Sequence, residues 1–188
     1  MKQVRKKNKQ SVFSFSSKKR RDIKIRLMEP NDVNVLWNIF NDVVEERRYL
    51  PTMTPVFSQR EKNQWYLEFQ EKVALVIVAT SEGTPIGYCS VEQKEEEASA
   101  HVAALGLLIT KEFRNEGIGK ELMKKAIEHS RVIGFEKLCL STFDRNLKAI
   151  NLYEKMGFRK VGLRKNQFKI NITYHNELLM DLTLEPKK

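Results

Sequence analysis

The sequence predicts a mixed α/β domain in which one twisted central sheet of about seven strands carries helices on both faces. Three observations lead to this fold class. Strand-like stretches with alternating apolar residues are interleaved with helix-like stretches, in the order β-α-α-β-β-β-α-β-α-β-β. That order favours helices packed on both sides of a sheet. With 188 residues, 41% of them hydrophobic, the chain is long enough to bury one proper core.

The first predicted elements are one strand and two helices. "IKIRLM" alternates from Ile23 onwards and predicts the strand. "VNVLWNIFNDVVEERRYL" follows Pro30 and has apolar residues at helical spacing. Ser58 and Glu61 have the spacing of a capping box, which predicts that the second helix starts there and runs through "KNQWYLEFQE".

The remaining elements alternate more evenly. Three strands are predicted at "VALVIVAT", "IGYCSVEQ" and "SAHVAALGLLI", followed by the helix "GIGKELMKKAIEHSRVI". A strand at "EKLCLSTF" precedes a short helix, "NLKAINLYEKM", which Gly157 ends in the left-handed position that glycine favours. Two last strands, "FRKVGLRKN" and "YHNELLMDLTL", complete the sheet.

The net charge of +10 is concentrated at the N-terminus. Nine of the 34 Lys and Arg residues lie within 1–21, which has no acidic residue, so the remainder holds 25 basic against 24 acidic residues. We therefore expect a flexible basic tail over 1–21 and one domain over 22–188. The tail would suit RNA, acidic lipid or another acidic partner, or remain a solvated arm. Phe13 and Phe15 could dock it on the body or enter an interface.

Composition also indicates the compartment. No apolar run approaches the ~20 residues of a membrane-spanning helix, and the N-terminus is too basic for a secretory signal. Cys89 and Cys139 lack CxxC spacing, which argues against a structural disulfide and a metal site. We expect a cytoplasmic protein that binds no metal.

The stretch "RNEGIGK", residues 114–120, lies between a predicted strand and a predicted helix. The first turn of a helix has free N–H groups and partial positive charge. Gly117 and Gly119 remove Cβ atoms that would hold a ligand away from the backbone, and Arg114 and Lys120 add charge. Such a junction suits a pyrophosphate.

Two known phosphate-binding motifs do not match this stretch. The Walker pattern requires Ser or Thr after Lys120, where the chain has Glu121. The dinucleotide fingerprint GxGxxG requires a glycine at Leu122.

Together with two downstream motifs, the stretch resembles a known family. "RNEGIG" has the form Arg/Gln-x-x-Gly-x-Gly/Ala, "NLKAINLYEKMGF" has the form N-x-x-A-x-x-x-Y-x-x-x-G-F, and "YHNELLMDL" comes near the end. The chain resembles the GNAT superfamily of acyl-CoA-dependent N-acetyltransferases, most strongly over residues 99–182. The resemblance extends to the RimI/RimL-like and small-molecule amine branches without choosing between them.

The resemblance implies the GNAT fold and acetyl-CoA as co-substrate. The glycine loop would cradle the pyrophosphate, and the strand before it would run beside the pantetheine arm. The cofactor-binding residues that it implies are Leu107, Leu108, Ile109, Arg114, Asn115, Glu116, Gly117, Ile118, Gly119, Lys120, Asn146, Ala149 and Tyr153.

The implied chemistry is direct attack of a neutral amine on the thioester in a ternary complex. A backbone N–H near Leu108 or Ile109 would stabilise the oxyanion. Tyr153 is the expected general acid for the departing thiolate, although a half-buried aromatic that packs its helix on the sheet would look the same in sequence.

The general base is open. Many relatives have a Glu on the strand before the loop, where this chain has Ala104. The remaining candidates are His101, Glu92 and a water relay, or Glu45 or Glu46 at the end of the first helix.

The expected acceptor is a primary amine on a protein N-terminus, a lysine, a polyamine or a small molecule. The first two helices and the last hairpin would form its wall, with Glu45, Glu46, Tyr49, Phe57, Tyr174 and His175. Two other hypotheses are an acyl-CoA-binding sensor that has lost turnover and a nucleic-acid or ribosome-associated protein that uses its tail. The resemblance also allows a homodimer.

Overall fold

The computed structural model describes residues 12–71 and 74–184. They form one sheet of eight strands in the order β1-β2-β3-β4-β5-β6-β8-β7. The strands are β1 Phe13–Ser16, β2 Asp22–Leu27, β3 Ala74–Ser81, β4 Thr84–Gln93, β5 Val102–Ile109, β6 Lys137–Phe143, β7 Arg159–Ile170 and β8 Thr173–Thr183. The helices are α1 Val33–Glu45, α2 Gln59–Glu71, α3 Ile118–Ile133 and α4 Leu147–Lys155.

The predicted mixed α/β class is confirmed, with helices on both faces. Strand β3 shows this directly, because its side chains alternate between two cores. Leu75 and Ile77 belong to the core that contains α3 and α4. Val76 and Val78 belong to the core that contains α1 and α2. A strand buried on both faces needs a helix layer on each side.

The strand count is eight instead of about seven, because β1 lies within the stretch predicted to be a flexible tail. Phe13–Ser16 pairs antiparallel with β2, from Phe13 opposite Ile25 to Ser16 opposite Asp22. Residues 12–21 are therefore placed against the sheet. The first half of the predicted tail, residues 1–11, lies outside the described residues.

The start of α2 and the end of α4 agree with the local sequence signals. Ser58 Oγ accepts a hydrogen bond from the Glu61 backbone N–H at 3.4 Å, as the capping pattern indicates. Gly157 has a φ of 95° directly after α4, the left-handed conformation that the sequence predicts.

Strands β5 and β6 form the only parallel pair among the eight described strands, and they stay paired over a short distance. The register joins Val102 to Lys137 and Ala104 to Cys139, and no further pairs follow. Strand β5 nevertheless continues to Ile109 and β6 to Phe143. The two strands diverge beyond Ala104, and their separation opens the sheet beside the start of α3.

Candidate active site

A cleft of about 1610 Å³ lies where β5 and β6 diverge. Its walls come from β4, β5, β6, the loop before α3, helix α4 and the end of α1. Most of the predicted site residues line this cleft. They are Glu92, Leu107, Leu108, Ile109, Arg114, Asn115, Gly117, Gly119, Lys120, Asn146, Ala149 and Tyr153.

The backbone of the glycine loop is unusual where it lines the cleft. Asn115 has a φ of 63° and Gly117 a φ of 91°, so two residues of the loop are in the left-handed region. A Cβ added at Gly117 would meet no atom within 4 Å, so it would project into open space. Helix α3 starts at the next residue, Ile118, and its first N–H groups have no acceptor within the helix. The loop can therefore present backbone donors to an anion.

Gly119 also lines the cleft, and the packing around it leaves little room for a side chain. A Cβ there would lie 3.2 Å from Leu152 Cδ2 and 3.3 Å from Ile109 Cδ1. Such contacts are tight for carbon atoms, so the missing Cβ lets α3 pack closely on β5 and α4. Packing therefore favours glycine at this position, and the contact of Gly119 with a cofactor stays a prediction.

The Arg114 side chain does not extend freely into the cleft. Its guanidinium donates to Glu46 at 2.7 Å, and its Nε donates to the Ile109 carbonyl at 2.8 Å. The same group lies 4.9 Å from the centre of the Tyr49 ring. The hydrogen bond to Glu46 raises the pKa of Arg114. Arg114 thus connects the loop to the C-terminal end of α1, and both Glu46 oxygens are occupied by it.

Glu116 and Ile118, both predicted to bind the cofactor, direct their side chains away from the cleft. Ile118 is 1% exposed within the main core. Glu116 is 2% exposed and accepts a hydrogen bond from Ser17 Oγ at 2.7 Å. Burial alone would raise the pKa of Glu116, but hydrogen bonds and charges from Ser17, Lys19 and Arg21 outweigh it and lower the pKa. Only the backbones of the two predicted residues are left to face a ligand.

Helix α4 brings Asn146, Ala149 and Tyr153 to the opposite wall. Asn146 caps the helix, because its Oδ1 accepts from the Ala149 N–H at 3.4 Å and its Nδ2 donates to Thr142 Oγ1 at 3.2 Å. Tyr153 is 7% exposed. Burial raises its pKa, so the phenol stays protonated at neutral pH.

Strand β4 contributes a polar stripe that the sequence interpretation recognised only in part. Tyr88, Ser90 and Glu92 alternate on one side of β4, and all three line the cleft. Strand β4 pairs with β5, and Ser90 of the stripe lies opposite Gly106. A Cβ at Gly106 would lie 2.9 Å from Ser90 Oγ, so the glycine makes room for the serine.

Glu92 lies directly opposite Ala104 in the β4–β5 register. Directly opposed residues of an antiparallel pair have side chains on the same face of the sheet. A carboxylate therefore lies one strand away from Ala104, on the same face of the sheet. The period-two alternation of "GYCSVEQ" could have indicated the whole stripe.

His101 and Glu45 are not among the residues that line the cleft. His101 is exposed at the start of β5, and its carbonyl accepts from the Glu136 N–H at 2.9 Å. This end of β5 is the paired end, opposite the loop. Glu45 is exposed at the end of α1. Position alone disfavours both as groups that contact a bound amine.

One wall of the cleft, the aromatic wall, is formed by aromatic side chains, which the sequence did not predict. Trp37, Phe40 and Trp65 line it, with the Trp37 ring 5.2 Å from Phe40 and 5.7 Å from Trp65. Trp37 and Phe40 fit the helical apolar spacing of α1, so their sequence pattern does not distinguish a cleft wall from a core. Within the described part of the chain, the buried Trp37 Nε1 has no hydrogen-bond partner.

The predicted acceptor wall is only partly assembled here. Tyr49 and His175 line the cleft. Phe57 and Tyr174 are 71% and 53% exposed and lie outside it.

A family model matches most of this architecture. The Acetyltransferase (GNAT) family model aligns with residues 36–158, from α1 to the end of α4. The chain belongs to the GNAT acetyltransferase family. The resemblance inferred from the glycine loop and the α4 motif is thereby confirmed.

Relatives and solved structures of GNAT proteins agree with this membership. The chain is 28% identical over 90 residues to L-amino acid N-acetyltransferase AaaT of Escherichia coli, an alignment that covers 47% of this chain and 56% of that protein. It spans about half the length of the curated relatives it matches.

Among solved structures, ribosomal-protein-alanine N-acetyltransferase from Brucella melitensis has a TM-score of 0.80 and 27% identity, covering 85% of this chain and 99% of that one. The acetyltransferase yncA from Salmonella typhimurium, solved with acetyl-CoA, has a TM-score of 0.82 at 18% identity, with coverage of 88% and 96%. The second likeness concerns the fold alone.

In residues 12–71 and 74–184, no three His, Cys, Asp or Glu side chains are grouped so that they could hold a metal ion. No helix in the same ranges is long and apolar enough to cross a membrane. The walls of the cleft include the glycine loop, the carboxylate of Glu92, the phenol of Tyr153 and several aromatic rings.

Proposed function

We propose that this GNAT chain transfers the acetyl group of acetyl-CoA to a primary amine by direct attack in a ternary complex. The observation that carries the proposal is the combination of Glu92 and Tyr153 in the walls of a cleft that begins at the glycine loop. Such an arrangement provides a proton acceptor and a proton donor beside a site for an anionic carrier.

The loop residues fit the pyrophosphate of CoA. Gly117 leaves open space where a side chain would stand, and the first N–H groups of α3 point towards anions by the general rule for helix starts. Lys120 adds a cation to the same wall. The backbone of residues 107–109 would hold the pantetheine arm, because β5 has no pairing register with β6 there. Asn146 and Ala149 would border the arm from α4.

We assign the general base to Glu92, directly or through one water. An alkylammonium has a reference pKa near ~10.4, so the amine must lose a proton before it attacks. Glu92 lies opposite Ala104, and it lines the cleft, whereas His101 and Glu45 do not. Glu46 is engaged by Arg114. The loss of a carboxylate at position 104 is thus no argument for a sensor without turnover.

We assign the general acid to Tyr153. The thioester supplies an activated acetyl group: a C–N bond forms, the C–S bond breaks, and the sulfur leaves with a proton from the phenol. Burial keeps the pKa of Tyr153 above its usual value, so the proton is present at neutral and moderately alkaline pH. A backbone N–H at Leu108 or Ile109 would stabilise the developing oxyanion, a contribution worth about 3 kcal/mol.

The cleft favours an acceptor amine that carries an apolar group. Trp37, Phe40 and Trp65 would contact that group, since aromatic rings bury large area at low entropic cost. A protein N-terminus, a lysine, a polyamine or a small molecule all provide a primary amine. The names of the E. coli and Brucella proteins refer to amino-acid and alanine acceptors, which makes α-amines the first to test.

The test is thiol release from acetyl-CoA with a panel of amino acids, peptides and polyamines. We expect CoA to appear in step with an acetylated amine, fastest for an apolar acceptor. Tight acetyl-CoA binding without transfer to any acceptor would favour the sensor. The cytoplasmic location, the homodimer and an acidic partner for residues 1–21 stay predictions.

A further inference from the structure

The N-terminal arm, defined as residues 12–21, is docked beside the glycine loop. Its strand β1 pairs with β2, and Lys125 of α3 lies 4.9 Å from the centre of the Phe13 ring. At the other end of the arm, the Arg21 guanidinium lies 4.3 Å from the centre of the Phe113 ring, just before the loop. The arm therefore contacts both the helix and the segment that define the proposed cofactor site.

One buried carboxylate holds the turn of the arm. Ser17 Oγ donates to Glu116 at 2.7 Å, while Lys19 and Arg21 form ion pairs with the same carboxylate at 3.4 and 3.6 Å. A backbone bond reinforces them, because the Lys18 N–H donates to the Glu116 carbonyl at 3.1 Å. Glu116 immediately precedes Gly117, the N-cap of α3. The arm is thus fixed one residue from the start of the helix.

This arrangement distributes the four consecutive cations of the arm unequally. Lys19 and Arg21 neutralise Glu116, a carboxylate that would otherwise repel an anion at the loop. Lys18 is the member of this group that lines the cleft, together with Gly117 and Lys120. The charge of Arg114 is already paired with Glu46. Lys18 and Lys120 are therefore the unpaired cations of the described loop wall.

We propose that the N-terminal arm is part of the cofactor site, with Lys18 contacting a phosphate of CoA and Glu116 acting as the positioning residue that holds Lys18 there. The inference rests on the proposed function, since it requires a phosphate-bearing carrier at the loop. It extends the site beyond the family-matched residues 36–158 into a segment that precedes them. Part of the basic N-terminus then serves the protein's own substrate.

The experiment is calorimetric titration of the wild-type chain and Lys18→Gln with CoA, dephospho-CoA and pantetheine at two salt concentrations. Lys24→Gln is the matched control, because Lys24 is exposed on β2 and does not line the cleft. We expect Lys18→Gln to weaken CoA binding by about fivefold, the upper range for an exposed ion pair, and to reduce its salt dependence. Lys24→Gln should bind as the wild type does.

The three ligands separate the outcomes. Equal losses for CoA and dephospho-CoA assign Lys18 to the pyrophosphate, and a loss for CoA alone assigns it to the 3′-phosphate. Unchanged CoA affinity, or an equal loss for pantetheine, overturns the inference. If the wild-type chain itself binds no CoA, the proposed function fails as well, and that result is visible without any variant.

The positioning role of Glu116 is tested by Ser17→Ala, which removes one hydrogen bond to it. We expect a smaller loss of CoA affinity that vanishes in the Lys18→Gln background, since both changes act through one ammonium group. Additive losses in the double variant would mean that Ser17 and Glu116 stabilise the loop independently of Lys18.

Discussion

The loop wall and the aromatic wall of the cleft are built in different ways. The loop wall is made by one short stretch, residues 114–120, and a Cβ at its Gly117 would stand in open space. The aromatic wall is made by side chains such as Trp37, Phe40 and Trp65, which come from α1 and α2. A backbone site depends on φ angles and on the absence of a Cβ, whereas a side-chain site depends on which residues the fold brings together.

This difference predicts different sensitivities to mutation. A change of backbone conformation or an added side chain should abolish binding at the loop wall. Replacing a functional group should instead alter the walls that are built from side chains.

The largest effect is expected from Gly117→Glu in the loop wall. The new side chain would occupy the open space beside the first turn of α3 and place a negative charge there. We expect CoA affinity to fall at least about a hundredfold, measured by calorimetry, since an anion site is converted into a repulsive one.

Gly134→Glu is the matched control for this change. Gly134 has a φ of 101° at the opposite end of α3 and equally open surroundings. Both substitutions place a side chain in the left-handed region and should destabilise the fold by about 1–2 kcal/mol. If the two variants lost affinity equally, strain rather than ligand contact would explain Gly117.

The second prediction concerns Glu92, whose side chain belongs to the cleft wall. Glu92→Gln should lower kcat by about a hundredfold or more and leave CoA affinity nearly unchanged, because it removes a general base and keeps the shape. The measurement is the pH profile of steady-state transfer. Glu97→Gln, an exposed acid just beyond β4, should behave as the wild type. A normal kcat in Glu92→Gln would return the base to a water relay.

The third prediction is a smaller loss in Tyr153→Phe, about tenfold to a hundredfold in kcat. The raised pKa means that the wild-type acid remains protonated as pH rises through its ordinary value near ~10. The wild-type rate should therefore show no alkaline decline from this group between about pH 7 and 10. Wild-type turnover of the variant at every pH would assign Tyr153 to packing between α4 and the core.

The smallest effect is expected from Arg114→Gln, which breaks the connection between the loop and the C-terminal end of α1. The lost ion pair with Glu46 is partly exposed, so the free energy of unfolding should fall by about 1 kcal/mol. We expect a few-fold rise in KM for both substrates, measured by initial rates. Lys160→Gln breaks an exposed pair with Glu154 and should change neither KM nor stability appreciably.

The same contrast explains what could be predicted from sequence. The loop was recognisable because its geometry requires glycine at a fixed place between a strand and a helix, and Gly117 does adopt a φ of 91°. The order of the later elements followed from periodicity in the same way. Local backbone requirements leave a local signature.

Features that depend on distant partners left no such signature. Glu116 could be numbered in the loop, but its burial against Ser17 depends on a strand that begins about 100 residues earlier in the chain. Strand β1 itself was hidden because "FSFS" is short and lies among basic residues. The aromatic wall of the cleft could not be predicted without knowing how α1 and α2 pack together.

The position of β8 also has a consequence for how the protein is made. This strand lies between β6 and β7, and it pairs with β6 over residues 177–183 and with β7 over residues 173–181. Until those residues are added, β7 has no partner among the described strands and β6 is paired only with β5, so both strands have unpaired edges. Such edges invite aggregation, so nascent chains stalled before residue 173 should be the ones that need chaperones.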